Sequence, residues 1–247
     1  MTQRLKLVVA YDGSHFAGWQ SQTHGNGVQD HLERAFATVT GVGVRVHGAG
    51  RTDAGVHALG QSAHADISAM KLSVVKWRQA LNANLPPQLR VLACAFVRPD
   101  FHARYSARGK VYRYRVWTGP VLPPFEFNRA WHFPRQLDFD RLKCAAGYFI
   151  GRHDFAGFAA TRGKVEHDTV RVIRAVNVRR HGFSWMIEFD GDGFLYKMVR
   201  LMVGALIDCA SGRHHESEIV RQLLQPRHCA RRLAAPAEGL YLIRVRY

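Results

Sequence analysis

Positions 47 to 60 read HGAGRTDAGVHALG. Within this turn-rich stretch Arg51, Thr52 and Asp53 put a guanidinium, a hydroxyl and a carboxylate side by side, with His47 and His57 at the flanks. Gly48, Gly50, Gly55 and Gly60 surround them and give the backbone freedom to turn tightly. The stretch is not a dinucleotide fingerprint. With Gly48 and Gly50 as the first two glycines, Asp53 stands where the third is required. It is not a P-loop either, because no Gly-Lys-Ser/Thr follows. A lone carboxylate displayed in this way could be a nucleophile, a base or a structural turn acid. The glycines read as a tight turn that lets a ligand's backbone come close.

Two further stretches carry chemistry. RPDFHARYSARGKVYRYRV, 98 to 116, sets Arg98, Arg104, Arg108, Lys110, Arg113 and Arg115 against Asp100 alone. Phe101, Tyr105, Tyr112 and Tyr114 are interleaved with them, a pattern suited to tracking a phosphate backbone and stacking bases. Strand periodicity puts Tyr112 and Tyr114 on one face, and leaves open whether that face meets the core or a base. In DGFLYKMVRLMVGALIDCA, 192 to 210, apolar residues cover nearly the whole helix circumference, and Arg200 sits among them. A buried guanidinium needs a partner. The acids in its own stretch, Asp192 and Asp208, are both eight residues away, about 12 Å along a helix axis. Arg200 therefore takes either a carboxylate or phosphate from elsewhere in the fold, Asp53 being the candidate, or a place on a narrow polar stripe. His153-Asp154 and His214-His215-Glu216 lack the spacing of a metal site, and no metal is expected.

These groups need elements to hold them. Residues 4 to 10 alternate as a strand, and 28 to 39 carry apolar residues at helical spacing up to Gly41. Strands are expected at 44 to 47 and 59 to 67, on either side of the Arg51–Asp53 turn. A helix over 73 to 83, capped by Ser73, and a strand over 90 to 98 follow. The second half repeats this grammar. It has a strand over 110 to 117, a helix over 138 to 150 and a hairpin of 171 to 179 with 183 to 189. Helices over 194 to 210 and 216 to 224 and a last strand over 240 to 247 complete it, and 118 to 136 reads as a long loop. Strand–helix–strand–strand–helix–strand twice over predicts an α+β chain of two ferredoxin-like halves with antiparallel sheets. The halves are placed at 1–105 and 106–247.

The chain has 247 residues, with 35 Lys and Arg against 19 Asp and Glu, a formal net charge of +16. Arg supplies 28 of those 35, which favours bidentate phosphate contact and stacking on bases. A polyanion, RNA or DNA, is the expected partner. Charge and aromatics alone fit a non-catalytic RNA-binding protein as well as an enzyme. The four cysteines, Cys94, Cys144, Cys209 and Cys229, are far apart and read as buried thiols of a reducing compartment. No signal peptide or membrane-spanning run is apparent in the sequence, so a cytoplasmic protein with no membrane partner is expected.

GRTDAGVH, 50 to 57, resembles the signature of the TruA-type tRNA pseudouridine synthases. The similarity runs along the chain through YDGSHFAGWQ (11–20), VQDHLERA (28–35), NANLP (82–86), DFHARYSA (100–107), KVYRYRV (110–116), GRHDFAGF (151–158), MVRLMVGAL (198–206) and AEGLYLIRV (237–245). The resemblance implies two ferredoxin-like halves joined side by side with an active cleft between them, working as a homodimer. It implies isomerisation of uridine at positions 38 to 40 of the tRNA anticodon stem-loop, without a cofactor. It makes Asp53 the catalytic aspartate, Arg51 a tRNA contact, Tyr112 the base-stacking tyrosine and Arg200 the partner of Asp53. Phe101, His102, Ala103, Arg104 and Tyr105 become its RNA-binding segment, and Leu240 lines the uracil pocket. A single carboxylate could act at C1′, at C6, or in support of a glycal route. The segment 161 to 171 has no assigned tRNA contacts.

Overall fold

The computed structural model describes residues 2–23, 25–68, 70–160, 168–225 and 234–247. Its elements in chain order are β1 (Thr2–Tyr11), α1 (Val28–Thr40), β2 (Val46–Gly48), β3 (His57–Ser68), α2 (Val74–Ala83), β4 (Leu89–Val97), β5 (Gly109–Trp117), β6 (Trp131–His132), α3 (Phe139–Gly147), β7 (Gly151–Asp154), β8 (Val170–His181), β9 (Ser184–Gly191), α4 (Met198–Ala210), α5 (Ser217–Leu224) and β10 (Leu240–Arg246). They form two compact units, Met1–Arg108 with Tyr241–Tyr247, and Gly109–Leu240. The expected division at 105 and 106 gave the last strand to the second half. The structure returns it to the first.

In the first unit β1 alternates, so Leu5, Leu7 and Val9 are fully buried on one face while Arg4 and Lys6 point to the other. β1 pairs antiparallel with β3 and β4, and β2 pairs antiparallel with β3. The resulting order, β4-β1-β3-β2, is that of a ferredoxin-like unit, as the sequence predicts. α1 buries Val28, Leu32, Ala35 and Phe36, and its first turn is closed by Asp30 accepting from the Gly27 amide at 2.8 Å. α2 starts at the Ser73 cap, whose hydroxyl accepts from Lys76 N, and Trp77 meets Phe36 with ring centroids 5.9 Å apart. β10 joins this unit in parallel with the start of β3, Tyr241 opposite His57 and Leu242 opposite Ala58. The Tyr241 ring stacks on His57 at 4.5 Å, and Arg108 N donates to Arg246 O at 2.8 Å. Those contacts explain why the last strand belongs here.

In the second unit β5, β9, β8 and β7 lie in that order, each pair antiparallel, and the short β6 pairs parallel with the end of β5. The hairpin β8–β9 turns at His181 and Gly182, as expected. Register sets Tyr112, Tyr114 and Val116 opposite Phe189, Ile187 and Trp185, and all six are buried. Phe139 of α3 packs against Trp185 at 6.0 Å, so this is the helix-covered face.

Three expectations need correction. The helix expected from 194 starts at Met198, because Lys197 adopts left-handed backbone at φ 58° and cannot continue a helix. The helix expected to 150 ends at Gly147, where the chain tightens into i+3 turns and peels away. That turn buries Phe149 against Phe155 and Phe158, and the unexpected β7 follows. Cys144 is exposed on α3 and Cys94 half-buried, leaving Cys209 as the buried thiol among those described. Cys229 and residues 161 to 167 lie outside the described residues.

Candidate active site

The turn carrying Asp53 is braced by the segment that follows β1. Trp19 N donates to Thr52 O at 3.0 Å and Gly55 N to Gly13 O at 3.3 Å. Gln61 Nε2 donates to Gly50 O at 2.9 Å, and Val56 N closes the turn on Asp53 O at 3.1 Å. The Tyr11 hydroxyl and Thr52 Oγ1 share a buried hydrogen bond of 2.8 Å. Burial pushes the Tyr11 phenol up to about 12, partly offset by hydrogen bonds from Thr52 and Gln61, so it stays protonated. Gly18 holds φ 93°, and a Cβ there would stand 2.7 Å from Thr52 O. Thr52 is thereby buried, Asp53 half-exposed and Arg51 exposed. At Gly48 the space is filled by the Trp19 ring.

The segment 98 to 106 lies against the face of the same sheet that bears Arg4, Lys6 and His64. Arg4 forks onto Asp66 through two hydrogen bonds of 2.7 Å and reaches the carbonyls of Pro99 and Phe101. Phe101 packs on Tyr247 at 4.9 Å, and Lys6 Nζ sits 3.9 Å over the Tyr247 ring. Ala103 is fully buried. Its amide donates to His64 Nδ1 at 3.1 Å, and its carbonyl accepts from the Tyr247 hydroxyl at 2.8 Å. His102 Nδ1 accepts from the amides of Arg104 and Tyr105, at 3.1 and 3.3 Å. The side chains left outward are Arg104 and Tyr105, the latter 77% exposed, with the guanidinium 5.8 Å from the Tyr105 ring. Of the five residues assigned to RNA binding, then, Ala103 is structural, Phe101 and His102 are half-buried, and Arg104 and Tyr105 are presented.

In the second unit Tyr112 is 8% exposed, with its ring edge-on to Phe194 at 5.1 Å. Tyr114, one of the pair whose roles periodicity left open, is wholly buried and donates to Pro236 O at 2.7 Å. A Cβ on Gly239 would stand 2.6 Å from its ring, so the turn before Leu240 is moulded onto Tyr114. Arg200 falls in the first turn of α4 and is half-buried. Its Nε donates to Ala235 O at 2.6 Å, and Ala235 N donates to Arg200 O at 3.0 Å. Arg200 and Tyr114 together fix the stretch 235 to 239, and Leu240 follows it, buried. The guanidinium and the N-terminal end of α4 make this corner favourable for a carboxylate or phosphate. Of the basic run, Arg113 pairs with Glu188 at 3.0 Å and Arg115 with Glu126 at 2.7 Å, while Arg98 pairs with Asp100 in the first unit. Among the described residues no group of three His, Cys, Asp or Glu side chains is arranged to hold a metal ion.

The tRNA pseudouridine synthase family matches residues 7–106 and 145–247. The chain belongs to that family. It is an enzyme that isomerises uridine in tRNA. The match takes in Arg51, Asp53, the segment 101 to 105, Arg200 and Leu240, and Tyr112 lies between its two stretches. A tRNA pseudouridine synthase A of Akkermansia muciniphila is 45% identical, over 99% of this chain and 95% of its own. One from Maridesulfovibrio salexigens is 44% identical over 99% and 90%, and one from Acetivibrio thermocellus 40% identical over 99% and 100%. No helix among the described residues is long and apolar enough to cross a membrane.

Sequence reasoning missed Tyr114, His64 and Tyr11 as organisers of these regions. Each acts through a contact distant in sequence: Tyr114 with Pro236, His64 with Ala103, Tyr11 with Thr52. Residue type and spacing did not single out Tyr114 or His64, because β3 and β5 carry several other polar residues.

Proposed function

We propose that this synthase converts uridine to pseudouridine at positions 38 to 40 of the anticodon stem-loop, with Asp53 as nucleophile. The observation that carries this is the presentation of Asp53. Five hydrogen bonds brace the Arg51–Val56 turn or its flank, and Asp53 stands half-buried in it, within a stretch matched by the family. The N1–C1′ bond of the uridine breaks and a C5–C1′ bond forms. C5 gives up its proton to solvent and N1 gains one, so the reaction is redox-neutral and needs no cofactor. One carboxylate suffices to hold the fragment while the base turns. A uridine inside a stem or stacked loop must be flipped out, and contact with the small part of Tyr112 left exposed, with Leu240 as an apolar wall, holds it. Arg51 and the segment 101 to 105 hold the RNA, chiefly through its phosphates, which carry little sequence information. Acceptance of neighbouring uridines follows from that. The enzyme works as a cytoplasmic homodimer.

The test is tritium release from anticodon stem-loops labelled at C5 of a single uridine at position 38, 39 or 40. The wild type releases tritium from each. Asp53→Asn binds the same RNA and releases none. Release by Asp53→Asn at the wild-type rate overturns the nucleophile, and modification confined to other positions overturns the substrate.

A further inference from the structure

We propose that His64 is a positioning residue for tRNA binding, its neutral Nδ1 holding the buried Ala103 amide so that Arg104 and Tyr105 face the RNA. The inference rests on the reading of residues 101 to 105 as an RNA contact. Its geometry lies within the first unit. His64 is 2% exposed, in the middle of β3, and accepts from Ala103 N at 3.1 Å. Ala103 is fully buried, so no solvent can replace that acceptor. The ring is held by its neighbours. His47 of β2 stacks on it with centroids 5.0 Å apart, and His102 meets it edge-on at 4.6 Å.

His102 continues the relay. Its Nδ1 accepts from the amides of Arg104 and Tyr105, and its ring lies 4.4 Å from that of Tyr105. His64 thus fixes the residue on which His102 and Tyr105 turn, without itself reaching solvent or RNA. Burial, with His102, Arg4 and His47 close by, brings its pKa down to about 4, which keeps Nδ1 an acceptor at neutral pH.

Three variants test this with labelled anticodon stem-loop RNA. His64→Leu keeps bulk but removes the acceptor. We expect Kd and KM to rise about tenfold while kcat at saturating RNA stays within about twofold. His64→Asn can place its amide oxygen where Nδ1 stood, and should restore Kd to within about threefold of wild type. His64→Gln carries its oxygen one bond further out and should behave as His64→Leu, standing in for it if His64→Leu does not fold. Wild-type affinity in both the Leu and Gln variants, or an Asn variant no better than Leu, overturns the proposal. Arg104→Ala and Tyr105→Ala, run beside them, separate the two readings. If they bind RNA as wild type does, the RNA-contact reading of the segment fails and this inference with it. If they weaken binding and His64→Leu does not, only the positioning role fails.

Discussion

His64 and Tyr11 show how single polar side chains inside β-strands do the organising here. Each is buried, and each is hydrogen-bonded to a loop that carries candidate functional groups. Titration makes the first of these visible in stability. His64 faces Arg4 of β1, His47 of β2, Asp66 of its own strand and His102 of the covering segment. Its folded pKa of about 4 lies below the unfolded value near 6.5. The folded state therefore refuses a proton that the unfolded chain accepts. The stabilisation is complete above about pH 6.5 and is lost as pH falls towards 4. His102 is lowered by the same burial and neighbouring cations, and acts in the same direction. Asp66, held low by Arg4, loses its contribution as pH falls through the ordinary carboxylate range and below, at the acid end of that window. Thermal melts should be level above about pH 7 and should fall steadily from 6.5 to 4. His64→Asn should remove a clear part of that fall. A fall as steep in His64→Asn as in wild type would assign the acid sensitivity to other groups.

Elements matter here chiefly as braces for loops. The turn bearing Asp53 has no cap or helix of its own, and its shape is imposed by the 12 to 19 segment lying beneath it. Gly18 is the point of closest approach. Gly18→Ala would put a methyl 2.7 Å from Thr52 O in a backbone conformation at φ 93° that side chains rarely adopt. The strain and the overpacking together should cost roughly 3 kcal/mol, read by denaturant unfolding. kcat should fall further than KM rises, because the turn holding Asp53 is displaced. Unchanged kcat in a folded Gly18→Ala would show that the brace does not govern Asp53. The elements themselves were legible in the sequence where burial has a period: α1, α2, β1 and the β8–β9 hairpin lie close to where apolar spacing predicts them. Illegible features were those decided by distant contacts. The start of α4 depends on one left-handed lysine, and the end of α3 on where Phe149 finds its aromatic partners. The face of Tyr112 and Tyr114 could be assigned from periodicity, and that it is the core face could not. In the site, Asp53 and Arg51 stood out by residue type in a turn. The Tyr114–Pro236 and His64–Ala103 bonds span 122 and 39 positions and leave no local pattern.

Across the whole molecule the charge of +16 is the dominant long-range property. Its distribution is less uniform than the sequence suggests, because acids are spent on particular arginines. Arg113 lies 3.0 Å from Glu188 and Arg115 2.7 Å from Glu126, so two members of the basic run on β5 are already paired. Arg104 instead stands exposed beside Tyr105. Each phosphate neutralised on binding releases counterions, giving a slope in log K against log salt of about 0.7 to 0.9 per contact. Contact with some four to six phosphates of the stem predicts a slope of roughly −3 to −5. Arg104→Ala should reduce its magnitude by about one, while Arg113→Ala leaves it unchanged. The measurement is stem-loop binding titrated across monovalent salt. A flat plot would contradict phosphate-led recognition altogether. A slope that falls with Arg113→Ala but not with Arg104→Ala would move the RNA path from the 101 to 105 segment to the open face of β5.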